Sequence, residues 1–323
     1  MSNIRDRYHI TPQMRDYDNL SCVYRPYIMF FNQDKFASKS VNTDIDGFRL
    51  NYINNKFVSN KEIIINKKEV NIVIGGSLAF GFGTTSDKKT ISSLLSLETG
   101  EIFINYGATA FNAKQEFILF INNVEKFYKI KRVIIISGIN DLYLNIIRQD
   151  KMFENIFFDK KFKNAFSKPK KNILDFLNKK NTTEEDSCAN QIDFKLMNNN
   201  YNELFSLWNK LSNVYSFKVF FFLQPFCSWF KKELSDEEFK IFDILDSSND
   251  TAHNVLQKIS DLNYYDNFEN ILSTNSKKNK ISYSDLNYEL KDLNDAGKWL
   301  FVDRVHLTDL GYLKISKKII NLF

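Results

Sequence analysis

Proline and cysteine are both scarce in this 323-residue chain, at four and three residues. Three cysteines, Cys22, Cys188 and Cys227, are too few and too far apart for a disulfide framework, and no Cys-x-x-Cys pair suggests a zinc site. Reduced, intracellular thiols are the simplest account. Long hydrophobic runs are missing as well. The most apolar stretch, 219–230, is broken by Gln224 and Pro225 and is too short to span a bilayer. The opening residues, MSNIRDRYHITPQMRDYDN, lack the apolar centre of a signal peptide. A soluble, cytoplasmic protein without a membrane span is the expectation. A strong charge of one sign is absent too, since the formal net charge is only +5. Lysines crowd residues 160–180, but no nucleic-acid recognition motif accompanies them. They read as a solvated face, and no nucleic-acid partner is expected.

What remains is a chain rich in apolar and aromatic residues, 43% and 15%, which fits a well-filled core and excludes a disordered chain. Residues 1–68 hold short β-like runs and an Asp46-Gly47 turn signal, and read as a β-rich N-terminal extension. From residue 69 a strand–helix alternation begins. Strands are expected at 71–74, 101–105, 132–137 and 217–223, with helices at 91–97, 113–127, 202–214 and from Thr308 onward. The run RVIIIS (132–137) is apolar throughout, as a strand covered on both faces should be. This alternation predicts a three-layer α/β/α sandwich around a parallel sheet. The polar stretches at about 145–200 and 226–297 read as insertions into this domain of 69–323.

Four short segments carry chemistry. In VIGGSLAFG (73–81), Ser77 follows two glycines at the end of a buried strand, where open α/β folds place ligands. Its hydroxyl is a candidate nucleophile, and its backbone N–H a candidate oxyanion donor. Gly107, after the second strand, can present its N–H to a substrate, or can simply end the strand. Asn140, after the third, can aim its side-chain amide at a carbonyl oxygen, or can cap the next helix. In VDRVHLT (302–308), Asp303 and His306 lie close enough in sequence for one turn to join carboxylate and imidazole. The remaining histidines, His9 and His253, have no comparable surroundings. Cys227 has no neighbouring histidine and reads as a buried thiol, and Trp208, Trp229 and Trp299 read as core.

Together these segments resemble the SGNH hydrolase superfamily, also called the GDSL esterases and lipases, whose four blocks centre on Ser, Gly, Asn and a terminal Asp-x-x-His. The resemblance covers about 70–145 and 298–323. It implies five strands in flavodoxin-like order, a Ser77–His306–Asp303 triad, and oxyanion donors from Ser77, Gly107 and Asn140. No metal or organic cofactor is implied. The sequence reads Gly-Gly-Ser-Leu where the family name has Gly-Asp-Ser-Leu, so the aspartate, which is no triad member, is absent. The stretch VNTDIDGFR (41–49) resembles members acting on bacterial surface glycans. The expected activity is hydrolysis of an acyl ester, with an acylated small molecule or glycan as partner. Acyl transfer to a glycan, and glycan binding without catalysis, are the alternatives.

Overall fold

In a computed structural model the described residues are 4–147, 192–230, 232–247, 251–291 and 297–322. Cys188, the lysine-rich stretch 160–180 and most of the expected insertion at 145–200 lie outside them.

The N-terminal segment forms two hairpins, β1 (Cys22–Arg25) with β2 (Met29–Asn32) and β3 (Asn51–Ile53) with β4 (Lys56–Val58). Helix α1 (Met14–Asn19) precedes them, and α2 (Asn60–Ile65) follows. The main sheet consists of β5 (Glu69–Gly75), β6 (Phe103–Gly107), β7 (Lys129–Ser137), β8 (Lys218–Leu223) and β9 (Ser282–Asp285). All neighbours are parallel and the spatial order is β6-β5-β7-β8-β9. Numbered within the sheet, that is 2-1-3-4-5, the flavodoxin-like order. Between the strands run α3 (Ser77–Phe80), α4 (Ile91–Thr99), α5 (Ala113–Ile121), α6 (Ile139–Ile147), α7 (Phe194–Tyr215), α8 (Cys227–Phe230), α9 (Asp236–Asp246), α10 (Thr251–Ile259) and α11 (Leu262–Lys278). Helices α12 (Leu286–Lys291) and α13 (Asp309–Ile320) complete the chain.

Alternation along the strands feeds two cores. Ile72, Ile74, Val133, Ile135 and Phe221 point toward α5, α7 and α11. Val73, Ile134, Ile136, Phe220 and Phe222 point toward α4, α9, α12 and α13. A sheet covered on both faces is the three-layer sandwich, and it explains the unbroken β-branched runs of β5 and β7.

One expectation is corrected. The stretch 226–297 is not simply an insertion, because it supplies β9, an edge strand of the sheet. Its sequence, SYSD, is polar because one edge is half-exposed, so no apolar run marked it. Conversely, the apolar run at 299–302 adds no strand to the sheet. It makes an isolated antiparallel bridge, Phe301 with Leu307, and fixes the turn between them.

The N-terminal segment is stitched to the other edge of the sheet. Asn51 Oδ1 accepts the Asn105 N–H at 2.7 Å, and Asn60 Nδ2 donates to the Asn105 carbonyl at 3.0 Å. Side-chain amides thereby occupy backbone groups that an edge strand would otherwise leave open. A second staple joins α9 to residues 300–301. The buried Glu238 carboxylate accepts the Leu300 and Phe301 N–H groups, both at 2.9 Å, and pairs with the buried Lys232 ammonium. Removing one member of a buried pair strands the other's charge, which costs about 3–5 kcal/mol. Glu238→Gln should lower unfolding free energy by that order in urea denaturation. An unchanged midpoint would show that the pair holds nothing.

Candidate active site

Ser77 opens α3 directly after β5, and Asn140 lies in the first turn of α6 after β7. Those two adjacent strands flank the point where the strand order reverses, the usual ligand position in open α/β sheets. His306 and Asp303 reach the same edge from the turn ahead of α13. The Ser77 hydroxyl lies 2.6 Å from His306 Nε2, and His306 Nδ1 lies 2.7 Å from Asp303 Oδ2. Asp303 can only accept when ionised, so Nδ1 carries the proton and Nε2 is left to accept from Ser77. The other Asp303 oxygen accepts the backbone N–H groups of Val305 and His306, at 2.9 and 2.8 Å. Burial alone would push this carboxyl up, but the His306 charge and hydrogen bond outweigh it and hold Asp303 below the ordinary carboxylate range.

Asn140 Nδ2 donates to the Phe111 carbonyl at 2.7 Å, leaving one amide hydrogen. A Cβ on Gly76 would lie 2.9 Å from that nitrogen, so the amide stands beside the backbone leading into Ser77. Gly107 does not join it. Its N–H is donated to Asn105 Oδ1 at 2.9 Å, and a Cβ there would stand 2.1 Å from the Phe80 nitrogen. Gly107 is therefore a close-packing position under α3, and the expected oxyanion role is withdrawn. The following loop turns through Ala110, left-handed at φ 61° and half-buried.

Several site-shaping residues escaped the sequence reading. Arg49, fully buried, donates through Nη1 to the carbonyls of Phe80 (3.2 Å) and Gly81 (2.8 Å) at the end of α3. Its Nη2 reaches Ser40 O and Thr84 Oγ1, at 2.7 and 3.0 Å, and its Nε pairs with Asp87 at 2.8 Å. The strap after α3 is held carbonyl by carbonyl. The Tyr17 hydroxyl lies 3.0 Å from Gly81 O and 2.9 Å from Thr84 O, Tyr312 donates to Phe82 O at 2.8 Å, and Gln13 donates to Gly83 O at 3.1 Å. This strap lays the Phe82 ring 4.4 Å, centroid to centroid, from the His306 imidazole. The only available signal was the stretch 41–49, whose arginine pairs with an aspartate far along the chain.

Other candidates fall away. Burial first, and then the Glu238 charge, push the Cys227 thiol up to about 12, which leaves no useful thiolate at neutral pH. Trp208 and Trp229 are core residues, and Trp299 donates to Phe301 O. His9 is exposed, and the His253 side chain is not among the described ones. Among the described residues, no group of three His, Cys, Asp or Glu side chains is placed to hold a metal ion, and no helix is long and apolar enough to cross a membrane.

The fold and this site define a Ser-His-Asp arrangement on a doubly wound α/β sheet. No protein-family model and no curated protein matches the sequence. Among solved structures, the chain is similar to a member of the lipolytic protein G-D-S-L family from Veillonella parvula, at 12% identity over 79% of this chain and 98% of that one, with a TM-score of 0.43. It is also similar to an acetylxylan esterase from Geobacillus stearothermophilus, at 13% identity over 79% and 94%, with a TM-score of 0.40. A third likeness is to an α/β hydrolase enzyme from the metagenome of Lake Arreo, at 11% identity over 79% and 94%, with a TM-score of 0.44.

Beneath Asn140 lies an acidic pair. Asp141 accepts the Ala113 N–H, and Glu116 accepts from Ser137 Oγ at 2.7 Å. Burial pushes Asp141 up to about 7 and, with the Asp141 charge, pushes Glu116 well above its ordinary value. The unfolded chain releases the Asp141 proton near pH ~3.9, whereas the folded chain keeps it to about 7. The folded state therefore loses stability as pH rises between those values. Asp141→Asn should raise the urea midpoint relative to the parent at pH 8 and leave it nearly unchanged at pH 4. A lower midpoint at pH 8 would mean that the ionised carboxylate is needed.

Proposed function

We propose that this chain is a serine ester hydrolase of the SGNH type. The single observation that carries the reading is the unbroken hydrogen-bond line from the Ser77 hydroxyl through His306 to Asp303. His306 Nε2 takes the hydroxyl proton as Ser77 Oγ attacks the ester carbonyl. Asp303 holds the ring in the required tautomer and stabilises the imidazolium that forms. The negative charge on the carbonyl oxygen is met by the Ser77 N–H and the free amide hydrogen of Asn140. In place of Gly107, the Ala110 N–H is the third donor in this scheme. His306 then protonates the leaving alcohol. A water molecule, deprotonated by the same imidazole, releases the acid and restores Ser77.

The resemblance of residues 41–49 adds a carbohydrate as the alcohol portion, with an O-acetyl group as the acyl portion. The absence of the Gly-Asp-Ser-Leu aspartate from the Gly75–Leu78 segment leaves this chemistry intact, since that position supplies no proton transfer here.

Turnover of an activated acetyl ester, followed by release of acetate, tests the assignment. Ser77→Ala should abolish it in a protein with unchanged circular dichroism, and retained activity would sink the proposal. Asn140→Ala should slow kcat by about 100–1,000-fold with a smaller change in KM, the measured scale for one lost oxyanion donor. An unaltered kcat would remove Asn140 from the mechanism.

A further inference from the structure

A cavity of about 500 Å³ opens between the N-terminal segment and α5, and none of Ser77, Asn140, Asp303 and His306 lines it. That volume falls within the range of small-molecule sites, about 300–1,000 Å³. Its body is apolar and largely aromatic, formed by Ile28, Phe31, Phe48, Ile64, Tyr106 and Leu119. Phe48 stands at the centre of the ring wall, 4.9 Å from Phe31 and 4.5 Å from Tyr106 between centroids. Such a wall suits a flat aromatic body.

Two polar features limit what can occupy it. Tyr106 is only 1% exposed, yet its hydroxyl is hydrogen-bonded to no described residue. Burial, reinforced by the charges of Asp44 and Asp46, pushes that hydroxyl above its ordinary value, so it remains a donor at neutral pH. The hydroxyl keeps a little open surface, and Tyr106 lines the cavity, so a ligand there can reach it. At the rim stand Lys61 and Lys126, both exposed and neither in an ion pair with a described carboxylate. Arg25 also lines the rim but is already paired with Asp34, and among the lining residues Asp46 alone is acidic, with Asp44 behind the Tyr106 end. The balance favours an anion.

We infer that this cavity is a second ligand site, independent of the esterase reading, for a small aromatic carboxylate that also carries a hydroxyl group. The carboxylate meets Lys61 and Lys126, the ring lies against Phe48, and the hydroxyl pairs with Tyr106.

Calorimetric titration of the whole protein with 4-hydroxycinnamate tests this, alongside cinnamate, which lacks the hydroxyl, and 4-hydroxycinnamamide, which lacks the charge. One saturable site is expected for 4-hydroxycinnamate, with weaker binding of both analogues. Lys61→Glu combined with Lys126→Glu changes two exposed side chains, of which Lys126 also donates to Asn123 Oδ1 at 2.8 Å. It should weaken both acids about ten-fold or more, the scale of a lost charge-assisted hydrogen bond. Tyr106→Phe should erase the preference for 4-hydroxycinnamate over cinnamate. The inference is overturned by an absence of saturable binding, by equal affinity for the neutral amide, or by a preference that survives Tyr106→Phe. Binding that disappears once Ser77 is blocked with a fluorophosphonate would place the probe at the catalytic serine and equally overturn it.

Discussion

Arg49 carries a full positive charge where no surface is exposed, and the geometry of the site follows from how the chain offsets that cost. Burying an unpaired guanidinium costs several kcal/mol. Here Asp87 supplies the counter-charge, and the carbonyls of Ser40, Phe80 and Gly81 with the Thr84 hydroxyl take the remaining donors. Two of those acceptors are the end of the short helix whose first residue is Ser77. A four-residue helix has almost no stability of its own. Its orientation is therefore set from below, by an arginine in the N-terminal segment and an aspartate in the loop beyond it.

The same constraint passes outward to the imidazole. Because Gly81 is fixed, the strap through Thr84 leaves at a set angle. Tyr17, Gln13 and Tyr312 then engage its carbonyls from both ends of the chain. The strap brings the Phe82 ring against His306, while Glu238 holds residues 300–301 from the other side. Ser77 and His306 are thus braced by different elements that the strap joins, through Phe82 against His306 and Tyr312 on the Phe82 carbonyl. Such bracing before substrate arrives is what positions reacting groups without reorganisation during the reaction.

Much of this was legible in the sequence. The β-branched run of β7 announced a strand covered on both faces, and the segments around Ser77 and Asn140 follow the ends of β5 and β7. Strand β9 was hidden, because an edge strand reading Ser-Tyr-Ser-Asp has no apolar signature. The apolar residues 300–302 are buried without forming a strand of the sheet, in a loop that leads to α13. Gly107 was misjudged because its N–H is consumed by Asn105, two residues earlier, a bond no motif encodes. Arg49 could not be read at all as a brace. Its partners lie as far as 38 positions away, and only the folded chain brings them together.

The central claim is that Ser77 is made nucleophilic by His306, which a fluorophosphonate probe measures without knowledge of the natural substrate. Intact mass and peptide mapping should show one adduct, on Ser77, and His306→Ala should slow its formation by orders of magnitude while the fold persists. Modification elsewhere, or labelling of Ser77 at an unchanged rate without the imidazole, would contradict the account.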